Sequence, residues 1–344
     1  MPFKIKYEGS PLYIMEICGT HTMAIARAAL RACLPPNVHL ISGPGCPVCV
    51  TPSGAIDAAL ELADQKDVMI CSYGDLLRVP GTDQQTLLHK KAQGKDVRIC
   101  LSIMDALQLA RSFPKKEVVF LGVGFETTAP GTAVAIQQAE TQNCMNFSLL
   151  NLLKCTEPAI RAILTDPECK IDAFLCPGHV AAITGEKGFS FLIDEYQKNG
   201  VICGFEPEDL LYAIQLLCDA QEHETKHLIN TYTRLVRPLG NQAAIAVMDE
   251  VFERTDSDWR GLGTIAQSGL SLRKKYEKWD AAKKFQLAPF ANIENAGCCC
   301  GQVLKGKMRP QDCPLFRVVC TPQTPIGPCM VSSEGSCAAA ERYE

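Results

Sequence analysis

The chain has 344 residues, of which 47% are hydrophobic and 21% charged, with a formal net charge of −4. That length supports a sizeable core and two or three domains. Basic residues gather only in short clusters such as Arg273-Lys274-Lys275 and Lys283-Lys284, which argues against a nucleic-acid partner, and no apolar run reaches the length of a membrane span.

In chain order, short β-rich apolar runs alternate with helical stretches. Helices are predicted over His21-Cys33, Gly54-Asp64, Gln84-Gln93, Met104-Arg111, Gly131-Glu140, Glu157-Leu164 and Pro207-Ala220. Buried strands are predicted over Val38-Ser42, Val68-Ser72, Val97-Leu101, Val118-Gly122, Phe147-Asn151, Ala173-Cys176 and Val201-Gly204. Further helical segments run from Thr225 to Phe252 and from Leu270 to Phe285. The alternation predicts α/β architecture with two parallel-sheet domains, 10–115 and 116–288, the second with a helical extension. After Pro289, Gly, Pro and Cys dominate and periodicity fades. Segment 289–344 therefore reads as a third, Cys-rich domain that needs a metal staple to fold.

The N-terminal segment has no apolar signal core, which points to a cytoplasmic protein. Nineteen cysteines are then unexpected, because a large chain in a reducing compartment neither needs nor keeps a disulfide framework. They favour metal or redox chemistry. Cys71, Cys100, Cys144, Cys155, Cys169, Cys203 and Cys218 stand alone in apolar or helical contexts and read as small buried hydrophobes. The late group differs: Cys298, Cys300, Cys313, Cys320, Cys329 and Cys337 sit among prolines and glycines at wide, irregular spacings. Zinc more typically shows paired C-x2-C knuckles, so an iron–sulfur cluster is the stronger reading. A cubane takes four thiolates, which would leave two for a dithiol pair. Cys299, between two better candidates, is expected to point away.

Near the other end, Cys18-Gly-Thr-His21 precedes a helix for which Thr20 is a reasonable N-cap. A cysteine there feels the positive end of the helix dipole, which favours thiolate, and His21 could ligate metal or move a proton. An inert capping turn is the plainer alternative. Cys46-Pro-Val-Cys49 follows the strand Val38-Ser42 in a tight Gly/Pro loop, with the spacing of redox dithiols and of half-metal sites. The loop Gly122-Val-Gly124 lacks the third glycine of a dinucleotide fingerprint. Glu126, His179 and Glu206 fall at strand ends, where they could line one cleft or belong to ordinary turns.

These segments, in this order, resemble the HypD family of iron–sulfur scaffold proteins in [NiFe]-hydrogenase maturation. The matching stretches are Glu16-Ile-Cys-Gly-Thr-His21, Ser42-Gly-Pro-Gly-Cys-Pro-Val-Cys49, Tyr73-Gly-Asp-Leu-Leu-Arg-Val-Pro-Gly81, Phe120-Leu-Gly-Val-Gly-Phe-Glu-Thr-Thr-Ala-Pro130, Pro177-Gly-His-Val180, Gly204-Phe-Glu-Pro207, Trp259-Arg-Gly-Leu-Gly263 and Cys329-Met-Val-Ser-Ser-Glu-Gly335. The resemblance implies two α/β domains with a cleft between them and a small [4Fe-4S] domain. It implies a small chaperone partner, HypC, with which iron is held while one CO and two cyanides are attached. It implies cyanide supply by HypE and HypF and transfer of the finished Fe(CN)2CO unit to the hydrogenase large subunit. Carried over by position, Cys18 would anchor the iron, His21 would support it, and Cys46 and Cys49 would be iron-contacting or redox-active. Cys298, Cys313, Cys320 and Cys337 would hold the cubane, leaving Cys300 and Cys329 as a redox pair like that of ferredoxin–thioredoxin reductase. Two departures stand out: the family's Gly-Cys-x-Cys-Gly has a third thiol here, Cys299, and the tail after Cys337 lacks an aromatic run.

Low-spin iron with strong-field diatomic ligands suits a soft thiolate anchor, so the chemistry of the residues agrees with that role. The competing readings are a free-standing iron–sulfur disulfide reductase, which would turn over without a chaperone, and a structural zinc protein, which would be redox-silent.

Overall fold

The computed structural model of the chain describes residues 4–293 and 297–344; the first three residues and 294–296, inside the Cys-rich segment, lie outside that description. In chain order the strands are β1 (Leu12–Glu16), β2 (Val38–Ser42), β3 (Val68–Ser72), β4 (Val97–Ile99), β5 (Glu117–Gly124), β6 (Phe147–Leu153), β7 (Ala173–Pro177), β8 (Asn199–Cys203), β9 (Leu228–Asn230), β10 (Phe252–Trp259) and β11 (Gly263–Leu272).

They form two parallel sheets, as the alternating pattern predicts, and one antiparallel hairpin. The first sheet has the order β2-β1-β7-β8-β9 and the second the order β4-β3-β5-β6. The strands do not sort into sheets in simple chain order. β1 and β2 pair with strands contributed after residue 172, and the 113–116 segment leads into β5 inside the second sheet. Both sheets carry helices on both faces, which is why their strands read as mainly apolar runs. In β3, for example, Met69 and Cys71 enter one core cluster while Val68 and Ile70 enter the other.

Each sheet reverses its strand order once: between β1 and β7 in the first, and between β3 and β5 in the second. In open α/β sheets, the crevice beyond the carboxyl ends of the strands at such a reversal is where ligands bind. Cys18 and His179 follow β1 and β7; Asp75 and Glu126 follow β3 and β5.

Chain order misleads most after residue 224. Of the predicted helix from Thr225 to Phe252, only Gln242–Val251 is helical, and much of the next predicted helix is strand and 3-10 turn. The intervening residues form the β10–β11 hairpin. Its polar, serine- and threonine-rich strands hide the alternation that marks a hairpin, and its turn is made by Gly261 and Gly263, both at positive φ. The hairpin is fixed to the second sheet by Asn151 Nδ2 donating to Leu270 O (2.7 Å) and Cys155 N donating to Ser268 O (2.8 Å).

The Cys-rich segment is built of short turns of helix, Cys300–Leu304, Pro328–Val331 and Ser336–Tyr343, around a small apolar cluster of Phe316, Cys320, Met330 and Ala340. Its last helix packs on Gly19–Arg27. Among the described residues, no helix is long and apolar enough to cross a membrane.

Candidate functional site

β1 delivers the chain into the helix Gly19–Arg27, and Cys18 itself, not Thr20, is the N-cap, with extended backbone at φ −154°. Thr20 is free to turn its hydroxyl outward and donates to Glu334 Oε1 (2.7 Å). The Cys18 sulfur is approached by the backbone N–H groups of His21 and Thr20 at the helix start, as the sequence predicts. The expected drop in its pKa does not follow. Burial outweighs those donors and pushes the thiol up to about 11, with Glu334 adding to the rise. At about 11 the thiol holds its proton at neutral pH.

His21 is wholly buried. Its Nε2 lies 3.0 Å from Gly204 O, which can only accept, so Nε2 carries the proton and Nδ1 presents a bare lone pair. Among the described residues Nδ1 has no hydrogen-bond partner. Burial lowers the imidazole pKa to about 4, so the ring is neutral. Cys203, which reads in sequence as filler, places its sulfur 3.7 Å from Nε2. Phe205 lies between two histidines, its ring centroid 4.7 Å from that of His21 and 4.0 Å from that of His179. Burial lowers the pKa of His179, against the pull of Glu334. Glu206 is exposed at the start of the helix Pro207–Glu222. Glu126 belongs to the other sheet: it accepts from Thr156 N and Oγ1, both at 2.7 Å, and burial raises its pKa.

The loop after β2 comes directly against Cys18. Gly19 N donates to Gly45 O (3.0 Å), and a Cβ on Gly45 would stand 2.3 Å from Cys18 N, so only glycine fits. Cys46 and Cys49 are joined as a disulfide, with Cα atoms 5.2 Å apart. Arg260 braces this loop, its backbone N–H donating to Val50 O (2.9 Å) and its Nε to Thr51 O (3.1 Å).

In the Cys-rich segment, Cys298, Cys300, Cys313, Cys320, Cys329 and Cys337 all line one cavity with Val303, Leu315, Phe316 and Met330. Cys299 lines it too and does not point away. The sulfurs of Cys300 and Cys329 are 2.9 Å apart, and contact with Cys300, then Cys337, then burial raise the Cys329 pKa. Burial pushes Cys298 up to about 12. Ile326 N–H donates to Cys320 Sγ at 3.4 Å, and a Cβ on Gly327 would stand 3.1 Å from Cys298 Sγ. Clustered thiols, an N–H aimed at sulfur, a glycine leaving room and apolar walls are the surroundings that an iron–sulfur cluster requires. Among the described residues, no three His, Cys, Asp or Glu side chains converge tightly enough to hold one metal ion.

Two features tie these parts together. Cys46, Cys49, Cys300 and Cys329 share one buried cluster with Phe125 and Trp259, and Gly261 in the hairpin turn touches Gly301 so closely that neither could carry a side chain. The second feature is the run 332–334. Ser332 Oγ is 3.3 Å from Cys46 Sγ, Ser333 donates to Asp75 Oδ2 through N (2.8 Å) and Oγ (2.9 Å), and Glu334 receives Thr20. Three consecutive residues thus reach the Cys46 loop, the crevice of the second sheet and the Cys18 helix, while Cys329 and Cys337 on either side line the cysteine cavity. Ser332, Asp75 and Glu334 lie inside the motifs quoted above, but nothing in their residue type or spacing marks them as site residues. Lys154 is also missed by sequence reasoning. It is buried, donates to Ser257 Oγ (2.8 Å) and Asp258 O (2.7 Å), and has its pKa lowered to about 7 by burial.

Comparison with known proteins finds relatives along nearly the whole chain. Residues 3–344 match the family described as "HypD: Hydrogenase formation hypA family". The chain is 45% identical over 341 residues to hydrogenase maturation factor HypD2 of Bradyrhizobium diazoefficiens, covering 97% of this chain and 90% of that protein. It is 45% identical over 334 residues to hydrogenase maturation factor HypD of Escherichia coli strain K12, covering 97% and 89%. To HypD of Azotobacter vinelandii it is 42% identical over 336 residues, covering 96% and 89%. With a match over residues 3–344 and relatives 42% to 45% identical, the chain belongs to the HypD family of hydrogenase maturation factors.

Proposed function

We propose that this protein is the cytoplasmic scaffold on which the Fe(CN)2CO unit of a [NiFe] active site is put together. The observation that carries the proposal is the run 332–334, which brings the cysteine cavity, the Cys46–Cys49 loop and Cys18 into one assembly. Cys18 anchors the iron cargo as a thiolate, sharing it with a thiol of a small HypC-type chaperone. His21, neutral with its Nδ1 lone pair uncommitted, supports that anchor from within the crevice. Glu334, held by Thr20, sets its charge beside Cys18 and His179. Cyanide arrives from HypE and HypF, and the finished unit passes to the hydrogenase large subunit.

Cys298, Cys313, Cys320 and Cys337 hold a [4Fe-4S] cluster, which supplies electrons singly when bound. Reduction of the Cys46–Cys49 bond takes two electrons and two protons, the same number that the Cys300–Cys329 pair releases when it becomes a disulfide. The shared apolar cluster around Trp259 keeps both pairs away from bulk water. The reductase alternative requires a sulfur that a protein disulfide can reach, and Cys46 and Cys49 are 4% and 0% exposed.

The test is anaerobic purification with the accompanying small partner, followed by infrared spectroscopy in the cyanide and carbonyl stretching region. Bound-ligand bands are expected in the unmodified protein and absent from Cys18→Ala. The Cys46→Ser/Cys49→Ser double variant is expected to retain its cluster colour and to lack the bands. Normal bands in either variant would refute the corresponding role.

A further inference from the structure

Four strands end the two parallel sheets, and three of them are protected. β4 and β9 are only three residues long, and β6 is covered by the β10–β11 hairpin. Short length and cover are usual ways to keep an open edge from pairing with another chain. β2 has neither. It runs for five residues, Val-His-Leu-Ile-Ser, with no Lys, Arg, Asp, Glu or Pro to blunt it. Among the described residues, its edge away from β1 has no strand partner. A cavity of about 420 Å³ touches all five β2 residues. Successive side chains of a strand point to opposite faces, so a cavity that meets five in a row follows the backbone edge and not one face. Its opposite wall is formed by residues 306–312 and by Ala339, Ala340 and Glu344. Among the described residues, no backbone hydrogen bond crosses from that wall to β2.

The charge around this cavity is unbalanced. Arg31 is shared by Glu16 (3.3 Å) and Glu344 (3.1 Å), Lys307 is shared by Asp166 and Glu168, and Arg309 is taken by Asp312. Five carboxylates thus meet three cations. Glu344 spends its other oxygen on Gln311 Nε2 (2.6 Å). Glu16 is wholly buried, and its Oε1 accepts from Ser42 Oγ (2.6 Å) at the end of β2. Among the described residues, Glu16 Oε2 has no hydrogen-bond partner. We propose that β2 is the docking edge for an extended peptide segment of a partner protein. The segment pairs with the free backbone groups of β2 and brings a lysine or arginine side chain to the Ser42 end, where Glu16 and Glu344 lack a second cation. Main-chain pairing supplies the affinity and the basic side chain the specificity. Binding at this edge needs neither iron nor a cluster.

The test is an array of random peptides of about seven residues, probed with the full chain, followed by fluorescence polarisation of the retained sequences. Retained peptides are expected to carry a lysine or arginine at a fixed position and to lose at least about tenfold in affinity when it is replaced by glutamate. N-methylation of alternate backbone amides, which removes the main-chain donors, is expected to abolish binding. In Glu16→Gln the lysine and glutamate versions are expected to bind within about threefold of each other. Should that variant fail to fold, amide hydrogen exchange of the unmodified chain decides: protection on adding a retained peptide is expected at Val38–Ser42, and protection elsewhere refutes the site. An array that retains nothing, peptides that tolerate N-methylation, or peptides indifferent to the sign of their charge each overturn the proposal. Protection of Val38–Ser42 without peptide that fades on dilution would assign the edge to a second copy of this chain, and refutes a peptide partner.

Discussion

His21 makes the folded chain sensitive to acid in a way that can be calculated. Its ring is entirely buried, its Nε2 proton is committed to Gly204 O, and burial lowers its pKa from 6.5 to about 4. The unfolded chain takes up a proton on this residue below pH 6.5, whereas the folded chain does so only near pH 4. The contribution of the neutral ring is therefore fully present above pH 6.5 and is lost as pH falls from 6.5 toward 4. From these two values the loss is about 2 kcal/mol at pH 5 and about 3 kcal/mol once both states are protonated. His21→Gln retains an N–H for Gly204 O but cannot titrate. Urea unfolding of the two proteins, followed by the fluorescence of Trp259 and Trp279, should give stability curves that separate between pH 7 and pH 5 by about 2 kcal/mol. Parallel curves over that range would show that the imidazole is not held neutral by burial, and the assignment of a free Nδ1 lone pair at the Cys18 site would fail with it.

Two other residues give equally specific outcomes. Gly45→Ala forces a Cβ to 2.3 Å from Cys18 N, so the Cys46 loop must lift from the Cys18 helix; a loss of about 2–4 kcal/mol in thermal unfolding is expected, together with faster alkylation of Cys18. Lys154, with its pKa lowered to about 7, binds its proton less tightly when folded than the unfolded chain does, so stability should rise by about 2 kcal/mol between pH 7 and pH 9; Lys154→Met should flatten that rise, and an unchanged slope would contradict the buried-amine geometry.

Local pattern determined most of the framework. Runs such as Val68–Ser72 and Phe147–Leu153 are apolar except at Ser72, Ser148 and Asn151, because both faces of each sheet are covered, and a buried parallel strand needs no partner to be recognised in the chain. The thiol motifs were equally legible, since C-x2-C in a Gly/Pro loop and late cysteines among prolines are composition and spacing. Only the tertiary structure decided how these pieces meet. Which sheet β1 and its partner β2 join depends on β1 pairing with β7, more than 150 residues further along the chain, and nothing within a local window records it. The hairpin Phe252–Leu272 was misread because its polar strands owe their conformation to packing on β6 and not to alternation. The sign of the Cys18 shift was also out of reach: the helix start is visible in sequence, but desolvation is a property of everything packed around the sulfur, and it is the larger effect. The same holds for Ser332, Ser333 and Glu334, ordinary polar residues that join three parts of the site because the fold places them between two strand reversals.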